Sequence, residues 1–261
     1  MIVVKFGGHA MKDENGNFAR AIAAALAKGE KVVVVHGGGP QIDAALKAKA
    51  ITSDWMGGFR VTTKEIFDVV EDVLVNQVGQ QVAATLSTSG IKAQAISARQ
   101  LPTVIAKRRT TLIDGTPADL GYVGEVQSVD PTQLLELLAK GVVPVVAPVS
   151  SDEDLKTGLN VNADFAAAAI AAALQASALI VMTDVAGIYG NWPDKNSLID
   201  HISADDLESI KAGFAEGMAP KVQAALDALS FGAKAVRIID GTDPNSFASA
   251  LAGQGGTLVV A

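Results

Sequence analysis

Two lysines, an arginine and one aspartate are the charged residues in this sequence whose surroundings could do chemistry. Lys5 ends the apolar run "MIVVK" and is followed at once by Phe6, Gly7 and Gly8. An ammonium there is expensive unless it reaches solvent, an acid or a ligand. A lysine snorkelling from an edge strand is the plainer reading, but the glycines that follow at once weigh against it. Lys221, in "EGMAPKVQAAL", sits one turn into a helix opened by Gly217 to Pro220, and taken alone it is a solvated surface lysine. Asp164, in "NVNADFAAAAIAAAL", stands near the start of an alanine-rich helix, where either it or Asn162 could be the N-cap. Asn160 and Asn162 alternate ahead of that helix, as turn formers or as donors to a carboxylate. Arg60, in "GGFRVTTKEIF", precedes a helix cap at Thr62 or Thr63. A guanidinium fixed after two glycines is what a bidentate carboxylate grip requires.

Glycines mark three places where backbone could approach an anion: "KFGG" (5–8), "HGGG" (36–39) and "TDVAGIYG" (183–190). Each alone is an ordinary tight turn, yet glycine costs conformational entropy. Backbone N–H groups at helix N-termini suit phosphate oxygens, and three such loops on one sheet edge make a continuous polar site. The familiar nucleotide fingerprints are missing. There is no G-x-x-x-x-G-K-[ST], and no G-x-G-x-x-G after the first strand, which excludes a P-loop protein and weakens a dinucleotide-binding dehydrogenase. "HGGG" also matches an esterase oxyanion loop, but that chemistry needs a G-x-S-x-G nucleophile, which is absent. His36 and His201 have no metal-ligand spacing; His36 reads as structural and His201 as surface. The carboxylates of "SDED" and "ADDLE" read as solvated faces and caps.

The elements that must hold these residues are legible as continuous β-branched runs at Ile2–Val4, Val32–Val35, Val142–Val146, Leu179–Met182 and Val236–Ile239. Unbroken apolar runs are the mark of strands buried on both faces of a parallel sheet. Between them lie helical periods such as Phe18-Ile22-Leu26, Ile66-Val69-Val70-Val73-Leu74 and Leu134-Leu135-Leu138. The alternation predicts an α/β fold with an open, mostly parallel central sheet, helices on both faces and two lobes. A division near "VSSDEDLKTG" gives lobes of 1–150 and 151–261. Residues 94–127 are turn-rich and partly alternating, which predicts antiparallel hairpins at the rim of the sheet.

Composition narrows the partners. The 261 residues are 49% hydrophobic with a net charge of −7, enough for a sizeable core and unfavourable for duplex nucleic acid or an anionic membrane. An anionic small ligand needs locally concentrated positive charge. With no cysteine there is no thiolate catalysis and no disulfide framework. The N-terminus lacks the pattern of a signal peptide, and the longest apolar stretch, Phe165–Leu174, is too short to span a bilayer. A cytoplasmic chain without nucleic-acid or membrane partners is expected.

Taken in order, "KFGG", "VVHGGGPQI", "GFRVT", "LGYVGEV", "NVNADFAAAAIA", "MTDVAGI" and "GMAPK" resemble the amino acid kinase superfamily over essentially the whole chain. Within it the sequence is most similar to the N-acetylglutamate kinases. The resemblance implies a three-layer sandwich and transfer of a phosphoryl group from ATP to the side-chain carboxylate of N-acetyl-L-glutamate, a step of arginine biosynthesis. Mg²⁺ would be held mainly by phosphates and water. Lys5 and Lys221 would stabilise the transferring group, and Asp164 would hold both lysines. Gly38 and Gly39 would present backbone N–H groups on the substrate side, Gly7 and Gly8 on the nucleotide side. Arg60, Asn160 and Asn162 would bind the amino acid. Asp184, Val185, Ala186, Gly187, Ile188 and Tyr189, with Gly213, Phe214 and Ala215, would border the nucleotide, and Gly217 and Met218 would lie near its phosphates. Phe59 and Gly57 depart from the residues common in the family. Because the first strand begins at Ile2, the N-terminal helix of arginine-inhibited hexameric members is missing. A homodimer through the helix starting near Thr63, without arginine feedback, is therefore expected. Two alternatives stand beside this reading. One is a kinase for a carrier-bound aminoadipate or glutamate, with "AKRRTT" (106–111) as a basic rim; the other is a non-catalytic regulatory relative.

Overall fold

The four valines of residues 32–35 show why the sheet forms where it does. Val33 and Val35 point into one apolar core while Val32 and Val34 point into another, on the opposite face. A strand with a core on each side has no use for a polar alternation. The computed structural model describes residues 1–7, 16–214 and 218–261.

In chain order the elements begin with β1 (Ile2–Phe6), α1 (Asn17–Ala27), β2 (Val32–His36), α2 (Gly39–Ala48), β3 (Trp55–Met56) and β4 (Phe59–Arg60). Next come α3 (Lys64–Glu71), a π-helical stretch (Asp72–Val78), α4 (Gly79–Thr88), β5 (Ala93–Ser97), β6 (Val104–Arg108) and β7 (Val123–Val129). They continue with α5 (Thr132–Ala139), β8 (Val143–Ala147), β9 (Val149–Ser151), β10 (Gly158–Val161), α6 (Ala163–Ala173) and β11 (Ala178–Thr183). The last are β12 (His201–Ser203), α7 (Ala204–Ile210), α8 (Ala219–Ser230), β13 (Ala235–Asp240), α9 (Ser246–Leu251) and β14 (Thr257–Val260).

The main sheet has eight strands in the order β12-β14-β13-β11-β1-β2-β8-β5, and only the β13–β14 pair is antiparallel. β1 lies inside it, parallel to β2 on one side and β11 on the other. The chain builds outward from β1 through β2, then returns to the far side with β11. The carboxyl ends of β1, β2 and β11 therefore meet where the winding reverses, the place where open α/β sheets bind ligands. Helices α5, α6 and α8 pack on one face, and α1, α2, α3, α4 and α9 on the other.

Strands β9, β10, β7 and β6 close a small barrel beside this sheet. Its interior is so narrow that a Cβ on Gly124 would lie 2.8 Å from Val161 Cγ2. The rim hairpins expected over 94–127 are only partly realised. β6 and β7 do pair antiparallel, inside the barrel, whereas β5 joins the edge of the main sheet parallel to β8. Ile96 and Ala98, buried in the core, draw that segment inward. The 150/151 division passes through β9, which pairs with β10 across it. Gly57 and Gly58 both have positive φ (55° and 80°) in the two-residue turn joining β3 to β4. That geometry explains the glycine at 57. No helix among the described residues is long and apolar enough to cross a membrane.

Candidate active site

Strand parity puts Lys5 on the same face as Val3, the face covered by α6 and α8. Those two helices meet through alanines, among them Ala167, Ala171, Ala224 and Ala228, and small side chains allow close approach. Their N-terminal turns carry Asp164 and Lys221 to the end of β1. Lys5 Nζ lies 3.0 Å from Asp164 Oδ1, and Lys221 Nζ lies 3.2 Å from Asp164 Oδ2. Residues 5, 164 and 221 thus form one cluster, with Lys5 and Asp164 buried and Lys221 half-buried.

The N-cap question is resolved by geometry. Asn162 caps α6, its Oδ1 accepting the Asp164 N–H at 2.8 Å, which leaves the Asp164 carboxylate to the lysines. Burial alone would raise the pKa of Asp164, but the Lys5 and Lys221 ammonium groups outweigh it and hold the carboxyl at about 2. Burial lowers the pKa of Lys5, the nearby Lys221 charge adds to the shift, and Asp164 and Asp184 oppose it. Two cations face one anion, so the cluster keeps a net positive charge inside a chain of net charge −7. That is the local concentration an anionic ligand needs.

The cluster forms part of the wall of a cavity of about 1210 Å³. Its remaining walls come from the glycine segments and from residues far apart in sequence. Gly37 donates its N–H to Phe6 O at 3.0 Å, locking the end of β2 to the end of β1. The glycines differ in what they are for. A Cβ on Gly7 would lie 2.7 Å from Met182 O, and one on Gly38 would lie 2.6 Å from Leu74 Cδ2. A Cβ on Gly39 would meet nothing within 4 Å. Gly39 also opens α2, whose first N–H groups lack intrahelical partners.

On one side the cavity is lined by Arg60, Asn160 and Asn162. Arg60 is 5% exposed; its Nη1 donates to Ser53 Oγ at 2.7 Å and its guanidinium lies 4.6 Å from the Trp55 ring centre. Asn160 Nδ2 donates to Thr62 Oγ1 at 3.1 Å, and Thr62 Oγ1 donates to Arg60 O at 2.7 Å. Thr63, not Thr62, caps α3, with its hydroxyl accepting the Ile66 N–H. Asp184, Val185, Tyr189, Gly213, Phe214 and Met218 line the other side.

Three expected residues turn away from the cavity. A Cβ on Gly187 would lie 2.5 Å from Thr257 Oγ1, Ile188 is fully buried, and neither they nor Ala186 line the wall. The Ile188 N–H donates to Thr257 Oγ1 at 2.8 Å, which fastens this loop to β14. Gly8, Ala215 and Gly217 lie outside the described residues. His36 is fully buried, its Nδ1–H donating to Gly37 O at 2.9 Å, and burial lowers its pKa to about 4. His201 is exposed.

Sequence reasoning missed Trp55 and Trp192, the chain's two tryptophans, which stand 58% and 60% exposed and line the cavity. Their closeness to the "GGFR" and "GIYG" segments was an available signal. The "AKRRTT" segment is less free than a docking rim requires. Lys107 lies 3.7 Å from Glu125, Arg108 stacks 4.3 Å from the Tyr122 ring centre, and Arg109 stacks 4.6 Å from that of Phe59.

Fold and cleft together define an α/β protein with a cavity at the switch point of a parallel sheet, its wall carrying Lys5, Lys221 and Arg60. The amino acid kinase family matches residues 1–240, and the chain belongs to that family. It is 44% identical over 249 residues to an acetylglutamate kinase of Beutenbergia cavernae, covering 94% of this chain and 80% of that protein. It is 40% identical over 258 residues to one from Corynebacterium glutamicum, covering 98% and 87%. Its fold matches a crystal structure of the protein smu.665 from Streptococcus mutans UA159 with a TM-score of 0.83 at 27% identity, over 99% of this chain and 98% of that one.

Proposed function

We propose that this protein is an ATP-dependent carboxylate kinase that phosphorylates the side-chain carboxylate of N-acetyl-L-glutamate to an acyl phosphate, a step of arginine biosynthesis. The observation that carries the reading is the Lys5–Asp164–Lys221 cluster on the wall of a cavity large enough for a nucleotide and an amino acid side by side. The relatives' shared name supplies the substrate.

The acceptor carboxylate is already ionised at neutral pH, so no general base is needed. What remains is to hold two anions in line and spread the charge that builds between them. Lys5 and Lys221 stabilise that charge, and Asp164 keeps both ammonium groups aimed at it. Gly38 and Gly39 offer backbone N–H groups to the phosphoryl group and the acceptor. Arg60 grips the α-carboxylate, with Asn160 and Asn162 beside the amino acid. Asp184, Val185, Tyr189, Gly213, Phe214 and Met218 border the nucleotide. Mg²⁺, when held by the nucleotide's phosphates, would supply further neutralisation. In this reading residues 1–150 carry most of the amino-acid site, completed by Asn160 and Asn162, and 151–261 carry most of the nucleotide site, in a cytoplasmic homodimer joined near α3. The apolar positions of α3, Ile66, Phe67, Val69 and Val70, are all taken up in the core, so the face left for a partner is polar.

Trapping the product with hydroxylamine tests the reaction. With ATP and Mg²⁺, hydroxamate should form from N-acetylglutamate and not from free glutamate, aspartate or aminoadipate. Lys221→Ala should lower kcat by about 10²–10³ while the fold persists, the cost typical of removing one donor to transition-state charge. Wild-type turnover in that variant, or no turnover of any substrate despite ATP binding, would reject the assignment.

A further inference from the structure

Arg60 does not reach its place unaided. Its Nη2 lies 2.7 Å from Asp43 Oδ1, and although the Arg60 side chain is 4% exposed, that of Asp43 is 58% exposed. Trp55 faces Arg60 across the β3–β4 pair, and Ser53 takes a hydrogen from Nη1. Ser53 engages one of the five N–H donors of the guanidinium, while the Asp43 contact is an ion pair that leaves Nη2 without a hydrogen-bond partner. The donors left over are enough for a bidentate carboxylate.

Asp43 belongs to α2, the helix opened by Gly39. It stands one turn along, about 6 Å from the helix start by the α-helical rise. The contact therefore ties the guanidinium to the element whose first residues form the glycine cradle. The hairpin bearing Arg60 is only two residues per strand, with glycines at its turn, and cannot fix that distance alone.

We propose that Asp43 is a positioning residue that sets the distance between the Arg60 clamp and the glycine cradle, and thereby selects the chain length of the dicarboxylic substrate. This rests on the assignment of Arg60 as the α-carboxylate clamp. A substrate one methylene shorter cannot reach both ends of a gauge fixed by α2. Without Asp43 the guanidinium is held by Ser53 and Trp55 alone, with no tie to α2, and accepts a wider range of lengths at lower affinity.

The experiment compares wild type, Asp43→Ala and Asp43→Glu with N-acetylglutamate and N-acetylaspartate, varying each substrate and ATP. Asp43→Ala should raise KM for N-acetylglutamate about tenfold with kcat within about twofold, as expected when binding rather than transition-state contact is lost. Its preference for N-acetylglutamate over N-acetylaspartate in kcat/KM should fall at least about fivefold, a fraction of what one methylene can be worth. KM for ATP should not change, and Asp43→Glu, which keeps the carboxylate, should recover most of the lost affinity. An unchanged KM and preference in Asp43→Ala would overturn the proposal. So would a parallel rise in KM for ATP, the mark of general loosening. Wild-type turnover and its loss in Arg60→Ala report separately on the clamp itself.

Discussion

Asp164 can neutralise only one of the two ammonium groups that face it, and the imbalance governs how the site responds to pH. Its carboxyl, held at about 2, stays ionised through the whole working range. Its contribution to stability is present above the unfolded carboxyl value of about 3.9 and is lost as pH falls through about 2. Lys5 behaves differently, because burial lowers its pKa. Between its folded value and the ordinary lysine value of about 10.4, the native state holds fewer protons than the unfolded one, so this group's term in stability rises with pH. On the proposed mechanism the reaction uses the Lys5 ammonium, so activity should fall as that group deprotonates. The kcat/KM profile, which reports the free enzyme, should show an alkaline limb below the ordinary lysine range. That limb should move upward or vanish in the residual activity of Lys5→Arg; an unshifted limb would assign it to another group. In the sequence, each of these three residues had an ordinary reading: a snorkelling lysine, a surface lysine, a helix cap. Only the motif order pointed to their joint role. The contacts of about 3 Å that make them one cluster join residues 159 and 57 positions apart, which no local pattern encodes.

At the scale of elements, the glycine segments separate into two kinds that look alike as text. Gly7 serves packing, with backbone in the way of any side chain, whereas Gly39 borders open cavity at the start of a helix. Gly7→Ala should therefore cost about 1–3 kcal/mol in unfolding free energy, as overpacking does. Gly39→Ala meets no atom beyond its chain neighbours, so its cost in stability should be smaller than that of Gly7→Ala. It should still lower kcat/KM about tenfold or more if backbone at that point approaches the ligand. Denaturant melts beside steady-state kinetics check both, and a Gly39→Ala variant with full activity would remove that residue from the cradle. The strands and helices with long apolar runs were legible because burial on both faces leaves an unbroken signature, as at Val32–Val35. The small barrel was not, since β9 is three residues long, and neither was the main-sheet edge strand β5, with its mixed sequence "AQAIS". The inward turn of Gly187 and Ile188 was equally hidden, because it answers to Thr257, 69 residues away from Ile188.

The whole molecule joins both halves of the chain in a single eight-stranded sheet, with β1 between strands contributed by each. The barrel hairpin β9–β10 straddles residue 151 as well. The halves should thus unfold together. Each half carries one of the two tryptophans, so Trp55→Phe and Trp192→Phe leave a single fluorophore reporting on each. Urea midpoints from the two variants, corrected for any change in stability by far-ultraviolet circular dichroism, should coincide; separated midpoints would mean two independent units. The positive cluster at the meeting point of these halves also explains how an acidic chain can serve anionic ligands, since the overall field matters less than the two ammonium groups in the cavity.

The interior position of β1 sets a schedule for synthesis on the ribosome. Its edge toward β2 can pair as soon as residue 36 has emerged, but its other edge waits for residues 178–183. At roughly 5–20 residues per second, that apolar edge stands open on the order of ten seconds or more. Through that interval the nascent chain displays an unpaired, valine-rich strand of the kind that recruits other strands, and holding it apart from neighbouring chains is work for chaperones rather than for the sequence alone.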